Sequence, residues 1–247
     1  MTESPSLSAL RQRFAGSGGV TPARFTLGAA GLDAALGGGL VRGRLHELWP
    51  AQAEDAASAI GFALLLAVRA GAPAGQIVWL AQDKPGRAGR LYPPGLSELG
   101  ADPARLLFVT APDEAALLRA AADVVRSPAV GTAVIAPARS STAIDLTATR
   151  RLTLFAERSG VTALLLRGAD PQAPSAAATR WRVAAAPSPA LEADAPGAPA
   201  FAVACLRQRG GAPIPAARLE WQRDRACFAP LSGDQSADAG GGYRASG

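Results

Sequence analysis

The chain has 247 residues, 49% of them hydrophobic, 18% charged and 5% aromatic, with a formal net charge of +5. That is enough apolar material for one α/β domain of generous size with a buried core. Two cysteines, Cys205 and Cys227, exclude a disulfide scaffold or a cysteine-rich metal centre, and the single histidine, His46, excludes any site that needs two.

The first element in chain order is a short helix over Pro5 to Phe14, with Leu7, Leu10 and Phe14 on one face, Ser4 as its N-cap and Pro5 at its first position. Gly16-Ser17-Gly18-Gly19 breaks it. Residues 1–22 therefore form an N-terminal helix and linker, ahead of a core at 23–231. Arg44 to Trp49 reads as a strand, and Ala56 to Ala70 as a helix with Ile60, Leu64 and Val68 at helical spacing. Gln76 to Leu80 and Ala104 to Thr110 read as strands. Asp113 caps a helix that runs to Arg126, where Ser127-Pro128 stops it. Thr132 to Ile135 is a strand. Asp145 to Ser159 is a patterned helix closed by Gly160, and Val161 to Leu166 is a buried strand. Short apolar strands alternating with helices predict a mostly parallel sheet flanked by helices.

The last third is different. Arg180 to Ala184, Ala200 to Gln208 and Ala217 to Arg223 read as strands with no helices between them. Gly210-Gly211 and Pro213 mark a turn, so the last two form a hairpin that extends the sheet antiparallel at one edge. Pro187 to Pro199 reads as an exposed loop, and 232–247, small, polar and Gly-rich, as a disordered tail. Met1 to Ser17 lacks the cationic flank and apolar core of a secretory signal. The longest apolar run, Ala59 to Val68, is shorter than the roughly 18 residues of a membrane span. A soluble, cytoplasmic protein with no membrane partner is expected.

The most informative stretch is Thr26 to Leu66, TLGAAGLDAALGGGLVRGRLHELWPAQAEDAASAIGFALLL. Its run LDAALGGGLVRGRLHEL (32–48) resembles the approach to the first core strand of RecA-type ATPases. The resemblance implies that a phosphate loop of pattern G-x-x-x-x-G-K-[ST] should follow, with glycine N–H groups around the phosphates, a lysine on the β/γ charge and a hydroxyl on magnesium. The chain instead reads Pro50-Ala51-Gln52-Ala53-Glu54-Asp55-Ala56-Ala57-Ser58. There is no glycine and no lysine. Pro50 has no N–H to donate. Glu54 and Asp55 stand where a triphosphate needs cations, and they read better as acids satisfying a helix N-terminus. The degenerate phosphate-loop position thus comprises Pro50, Gln52, Glu54, Asp55 and Ser58.

The strand Thr132–Ile135 should end in a magnesium-binding aspartate and is followed by Ala136-Pro137-Ala138. Asp83 lies near where RecA proteins carry a catalytic glutamate, but without partners it reads as a surface acid. No cofactor, no metal and no ATP hydrolysis are expected, so the chain reads as no enzyme. Lys84, the only lysine, lies beyond the second strand, which disfavours a genuine ATPase with an atypical loop.

His46, alone inside a strand, reads as a packed histidine, and Cys205, in step with Phe201 and Val203, as a core cysteine. The arginines carry more. Arg150, Arg151, Arg158 and Arg167 lie on and after the patterned helix. Arg180 and Arg182 flank Trp181. Arg207 and Arg209 approach the hairpin turn, with Arg218, Trp221, Arg223 and Arg225 on its return. Guanidinium groups around Trp181 and Trp221 could stack on bases or grip phosphates, against the alternative of a solvated arginine face. The loops at Ala138–Ile144 and Gly168–Ala178 carry little charge, Arg139 in one and Asp170 in the other, which disfavours autonomous DNA binding. The hairpin (Arg207, Arg209, Arg218, Trp221, Arg223) and the N-terminal helix (Leu7, Leu10, Phe14) are the candidate partner surfaces.

Two further stretches narrow the family. LTATRRLTLFAERSGVTALLLR (146–167) with SAAATRWRV (175–183), and FAVACLRQRGGAPIPAARLEWQ (201–222), resemble the ImuA-type mutagenesis-accessory proteins of bacteria. The resemblance runs from about Thr26 to Pro230. It implies a RecA-like core with an eroded nucleotide site and a damage-induced (SOS) role in translesion synthesis. The implied partners are a catalytically inactive Y-family polymerase paralogue and an error-prone replicative-type polymerase, with RecA itself and a weak DNA contact as further possibilities. A rival resemblance is to SulA, a cell-division inhibitor that binds the tubulin-like division protein. The extra C-terminal strands would then be superfluous.

Overall fold

In the computed structural model the described residues are 22–71, 75–83, 91–138, 143–168, 173–189, 195 and 197–231. The expected helix over Pro5 to Phe14 and the tail at 232–247 lie outside them. The chain enters through a two-residue strand, β1 (Arg24–Phe25), then helix α1 (Ala30–Ala35) and strand β2 (Leu40–Val41), which pairs antiparallel with β1. Strand β3 (Leu45–Pro50) leads to α2 (Ala56–Gly71) and β4 (Gln76–Gln82). Next come α3 (Pro93–Glu98), β5 (Leu106–Ala111), α4 (Glu114–Arg126), β6 (Val130–Ala136), α5 (Leu146–Ser159) and β7 (Thr162–Leu166). Strands β8 (Thr179–Ala185), β9 (Ala200–Gln208), β10 (Ala217–Gln222) and β11 (Cys227–Pro230) follow.

Nine of these strands form one sheet in the order β11-β10-β9-β8-β3-β7-β6-β4-β5. The pairings from β8 to β5 are parallel, and those among β8, β9, β10 and β11 are antiparallel. The expected sheet, mostly parallel with an antiparallel C-terminal edge, is therefore present. Beyond the expected hairpin there is one more strand, β11. At four residues it is too short to show a period, and Ala226 in left-handed backbone (φ 45°) turns the chain into it. β5 starts two residues later than expected. Pro103–Arg105 make a tight turn instead, capped where Asp102 Oδ1 accepts from the Ala104 N–H at 3.0 Å.

Local chemistry sets the helix ends. The side chains of Asp113 and Asp145 accept from Ala116 N and Ala148 N, each at 2.7 Å, and Gly160 at φ 81° closes α5. The carboxyl end of α2 is capped from two sides, by Arg42 on Ala70 O and Arg105 on Gly71 O. The LDAALGGG run is a structural clasp. Asp33 is buried and accepts from Leu27 N (2.7 Å) and Gly28 N (2.9 Å), while its carbonyl takes Gly38 N and Gly39 N. A Cβ on Gly39 would lie 2.2 Å from Phe25 O, so only glycine fits there.

Two cores sandwich the sheet. One, under α2, α1 and α3, spans its width and gathers Phe62, Phe201, Phe228 and Trp221, whose rings meet edge-on or tilted at 4.9–6.2 Å. The other, under α4 and α5, draws on β3, β4, β5, β6 and β7. Among the described residues it takes nothing from β8 to β11.

Candidate functional site at the carboxyl ends of the parallel strands

From β3 the chain crosses two strands to reach β4, steps out to β5 at the edge, returns over β4 to β6 and β7, then passes over β3 to β8. The winding reverses around β3. In open α/β sheets, ligands bind outside the carboxyl ends of the strands at such a reversal. The segment there is the one expected to hold phosphates.

Several of its polar groups are bonded within the protein. Pro50 ends β3 opposite Val183, and the Ala51 N–H donates to Val183 O at 2.8 Å. Gln52 and Asp55 form a reciprocal capping box. The Gln52 side chain accepts from the Asp55 N–H, and Asp55 Oδ2 accepts from the Gln52 N–H at 3.2 Å. The other oxygen, Oδ1, accepts from Ala185 N at 2.8 Å, tying the start of α2 to the end of β8. Asp55 is therefore the internal anion of this helix start, as the capping reading expected. Glu54 is exposed in the same turn, and Ser58 is half-buried in the first turn of α2. At the end of β6, the Ala138 N–H reaches Gln82 Oε1 at 3.4 Å. Asp83 is exposed beyond β4, a surface acid as read.

The charged centre of this region was missed. Glu47, in the middle of β3, has no exposed surface. Its Oε2 accepts from Arg180 Nε at 2.8 Å, its Oε1 accepts from the Ser175 hydroxyl at 2.8 Å, and Arg167 Nε lies 3.8 Å from Oε1. Both guanidinium groups also sit against the Trp49 ring, at 5.1 and 5.5 Å from its centre. From there they hold the loops. Arg167 Nη1 donates to Ile144 O at 2.8 Å, and Arg180 Nη2 to Ala173 O at 2.6 Å. One buried carboxylate thus anchors the loops that follow β6 and β7. The only local signal was a glutamate inside the apolar run L-H-E-L-W.

Several expectations about the arginines and aromatics need correction. Arg167 and Arg180 belong to this interior centre and do not form part of a solvated cationic face. Trp181 and Trp221 are each 1% exposed. The Trp221 Nε1–H donates to Leu99 O at 2.9 Å and that of Trp181 to Thr179 Oγ1 at 2.7 Å. Trp221 is a core residue and no partner contact, and neither indole can stack on a base. The flanking arginines misled; the inward step of each strand decided. Arg207, Arg209 and Arg218 are exposed as expected, and Arg223 is exposed in the turn after β10. Arg207 Nη1 reaches Ser175 O at 3.2 Å, joining the hairpin to the β7–β8 loop. Leu7, Leu10, Phe14, Lys84, Arg139 and Asp170 lie outside the described residues.

His46 is packed, as read. Nε2 lies 2.9 Å from Val41 O and Nδ1 2.8 Å from Thr179 Oγ1. A carbonyl can only accept, so Nε2 carries the proton and Nδ1 accepts from the hydroxyl. Burial pushes this histidine down to about 4. Cys205 packs half-buried against the first core, where burial raises its thiol pKa. Among the described residues no three His, Cys, Asp or Glu side chains cluster to hold a metal, and no helix is long and apolar enough to cross a membrane.

No family model matches the chain. Two curated proteins, each named "Protein ImuA", from two strains of Caulobacter vibrioides, are 36% identical to it over 191 residues. The matched region covers 72% of this chain and 75% of each relative.

Proposed function

The chain belongs to the ImuA family, and on that footing we propose that it is a non-enzymatic accessory protein of DNA-damage-induced mutagenesis. It works by holding other proteins in translesion synthesis. Its partners are a Y-family polymerase paralogue and an error-prone replicative-type polymerase. The observation that carries the non-enzymatic part is the capping box at residues 52–55. In the loop where a triphosphate would sit, the N–H groups of Ala51, Gln52 and Asp55 are bonded to Val183, Asp55 and Gln52, and Glu54 adds a second negative charge beside them. Two like charges about 4 Å apart repel by roughly 4 kcal/mol at an effective dielectric near 20, which weighs against an anionic ligand there. The order of strands and helices supports descent from a RecA-type core whose motor site has been lost.

Two measurements test this. The full-length chain should co-purify with the polymerase paralogue of the same organism. Deleting its gene should lower damage-induced mutation frequency as far as deleting the paralogue does. A deletion strain with unchanged mutation frequency and filamentous cells on overexpression would overturn the reading in favour of division inhibition. Truncation after Pro199 is no fair test of the hairpin. It would strip Phe201, Val203, Trp221 and Phe228 from the core under α2.

A further inference from the structure

Strand β8 pairs in parallel with β3. Strands with parallel neighbours are ordinarily covered on both faces. Here the helix layer of α4 and α5 stops at β3, and the same face of β8, β9 and β10 has no second layer among the described residues. The side chains it presents are Arg182 and Ala184 on β8, Ala202 and Ala204 on β9, and Arg218 and Glu220 on β10. The register puts Arg182 beside Ala204, and Ala202 between Ala184 and Arg218. All of these side chains but Glu220 line a groove of about 290 Å³, with Ala51 beyond the end of β3 also in its wall. Alanine is depleted in strands, and a water-facing strand position ordinarily carries branched or polar side chains. An alanine floor lets another element approach the sheet closely.

We propose that this face seats an acidic amphipathic helix contributed by a protein partner. The inference rests on the adaptor reading and refines it to one surface and one chemistry. Charge selects the sign: Arg182 and Arg218 flank the alanines, and Arg207 stands opposite Arg180 in register, against Glu220 alone among exposed or half-buried acids of these three strands. Hydrogen bonding selects the element. β8, β9 and β10 are each paired on both sides, so no backbone edge is open to an added strand, and only side chains can make the contact. A helix laid here continues the layer that α5 begins over β3 and β7. The aromatic inventory selects protein over single-stranded nucleic acid. Trp49, Trp181 and Trp221 are all buried, so the face has no indole platform for bases.

The test compares full-length variants in co-purification with the polymerase paralogue, each checked for an unchanged melting temperature. Arg182→Glu with Arg218→Glu reverses the flanks, and Ala202→Leu with Ala204→Leu fills the floor without changing charge. Both pairs should reduce the retained partner about tenfold or more. Arg119→Glu with Arg150→Glu, exposed on α4 and α5 and off the groove, should retain it fully. If the wild type retains the paralogue and the groove variants retain it equally, the face assignment falls and the adaptor reading stands. If the wild type retains nothing, both fall together. If the groove charges instead abolish binding of a single-stranded thymidine oligonucleotide and leave the protein complex intact, the face serves nucleic acid and the proposal is overturned.

Discussion

Glu47 Oε2 and Arg180 Nε face each other at 2.8 Å across the β3–β8 pairing, with the carboxylate fully buried and the arginine side chain 8% exposed. Such a pair is weak evidence of net stabilisation, because desolvating both groups offsets their attraction. Breaking it is another matter. Glu47→Gln leaves Arg180 buried without its counter-charge, with Arg167 close by, and should destabilise the fold by about 3–5 kcal/mol in urea unfolding. The double variant Glu47→Leu with Arg180→Met should recover most of that loss. A single-variant cost under about 1 kcal/mol would show that the pair anchors nothing.

The neutral state of His46 gives a pH dependence of known sign. Its native pKa of about 4 lies below the ordinary 6.5, so between those values the unfolded chain binds the proton and the native chain does not. The contribution is complete above pH 6.5 and is lost as pH falls toward 4. Wild type should lose on the order of 3 kcal/mol more stability over that window than His46→Gln, which has no proton to bind there. Parallel stability–pH curves for the two proteins would refute the assignment.

What the sequence disclosed follows the range of the physics. Caps and breakers act over three or four residues, so Asp113, Asp145 and Gly160 marked their helices correctly. Asp55 belongs to the same class, since its box with Gln52 spans three residues. Glu47 and Arg180 are 133 positions apart, and nothing local announces that they meet. Trp221 shows a different failure. Its neighbours Leu219 and Phe228 are buried with it, and alternation along β10 puts Arg218 and Glu220 on the opposite face. The period was legible, but the flanking cations were given more weight. That the alanine face of β8 to β10 has no second layer among the described residues depends on where α4 and α5 stop, and strand patterning carries no trace of that.

Two glycines separate strain from space. Gly39 (φ 105°) has Phe25 O only 2.2 Å from where a Cβ would sit, whereas Gly160 (φ 81°) has nothing within 4 Å. Gly160→Ala should cost about 1 kcal/mol from left-handed backbone alone. Gly39→Ala adds a collision with main chain that cannot turn aside, and should cost distinctly more. Equal losses in thermal denaturation would mean that the β1–β2 clasp yields freely.

The capping box makes the sharpest prediction about nucleotide. A ligand present at 1,000 times its dissociation constant stabilises the native state by about 4.1 kcal/mol. In a domain of this size each kcal/mol moves the melting temperature by about 2–4 °C. Millimolar magnesium–ATP would therefore shift the melting temperature of a micromolar binder by many degrees. The wild-type chain should not shift. Asp55→Ala should lose about 1–2 kcal/mol of stability, because it frees the N–H groups of Gln52 and Ala185. It should still not respond to ATP. Removing the internal carboxylate opens two donors, but it supplies neither the glycines that let a backbone wrap a phosphate nor a lysine to neutralise one. A nucleotide-dependent shift in the variant but not in the wild type would identify Asp55 as the sole block. A shift in the wild type would mean that a triphosphate displaces the box, and the accessory reading would give way to an ATPase.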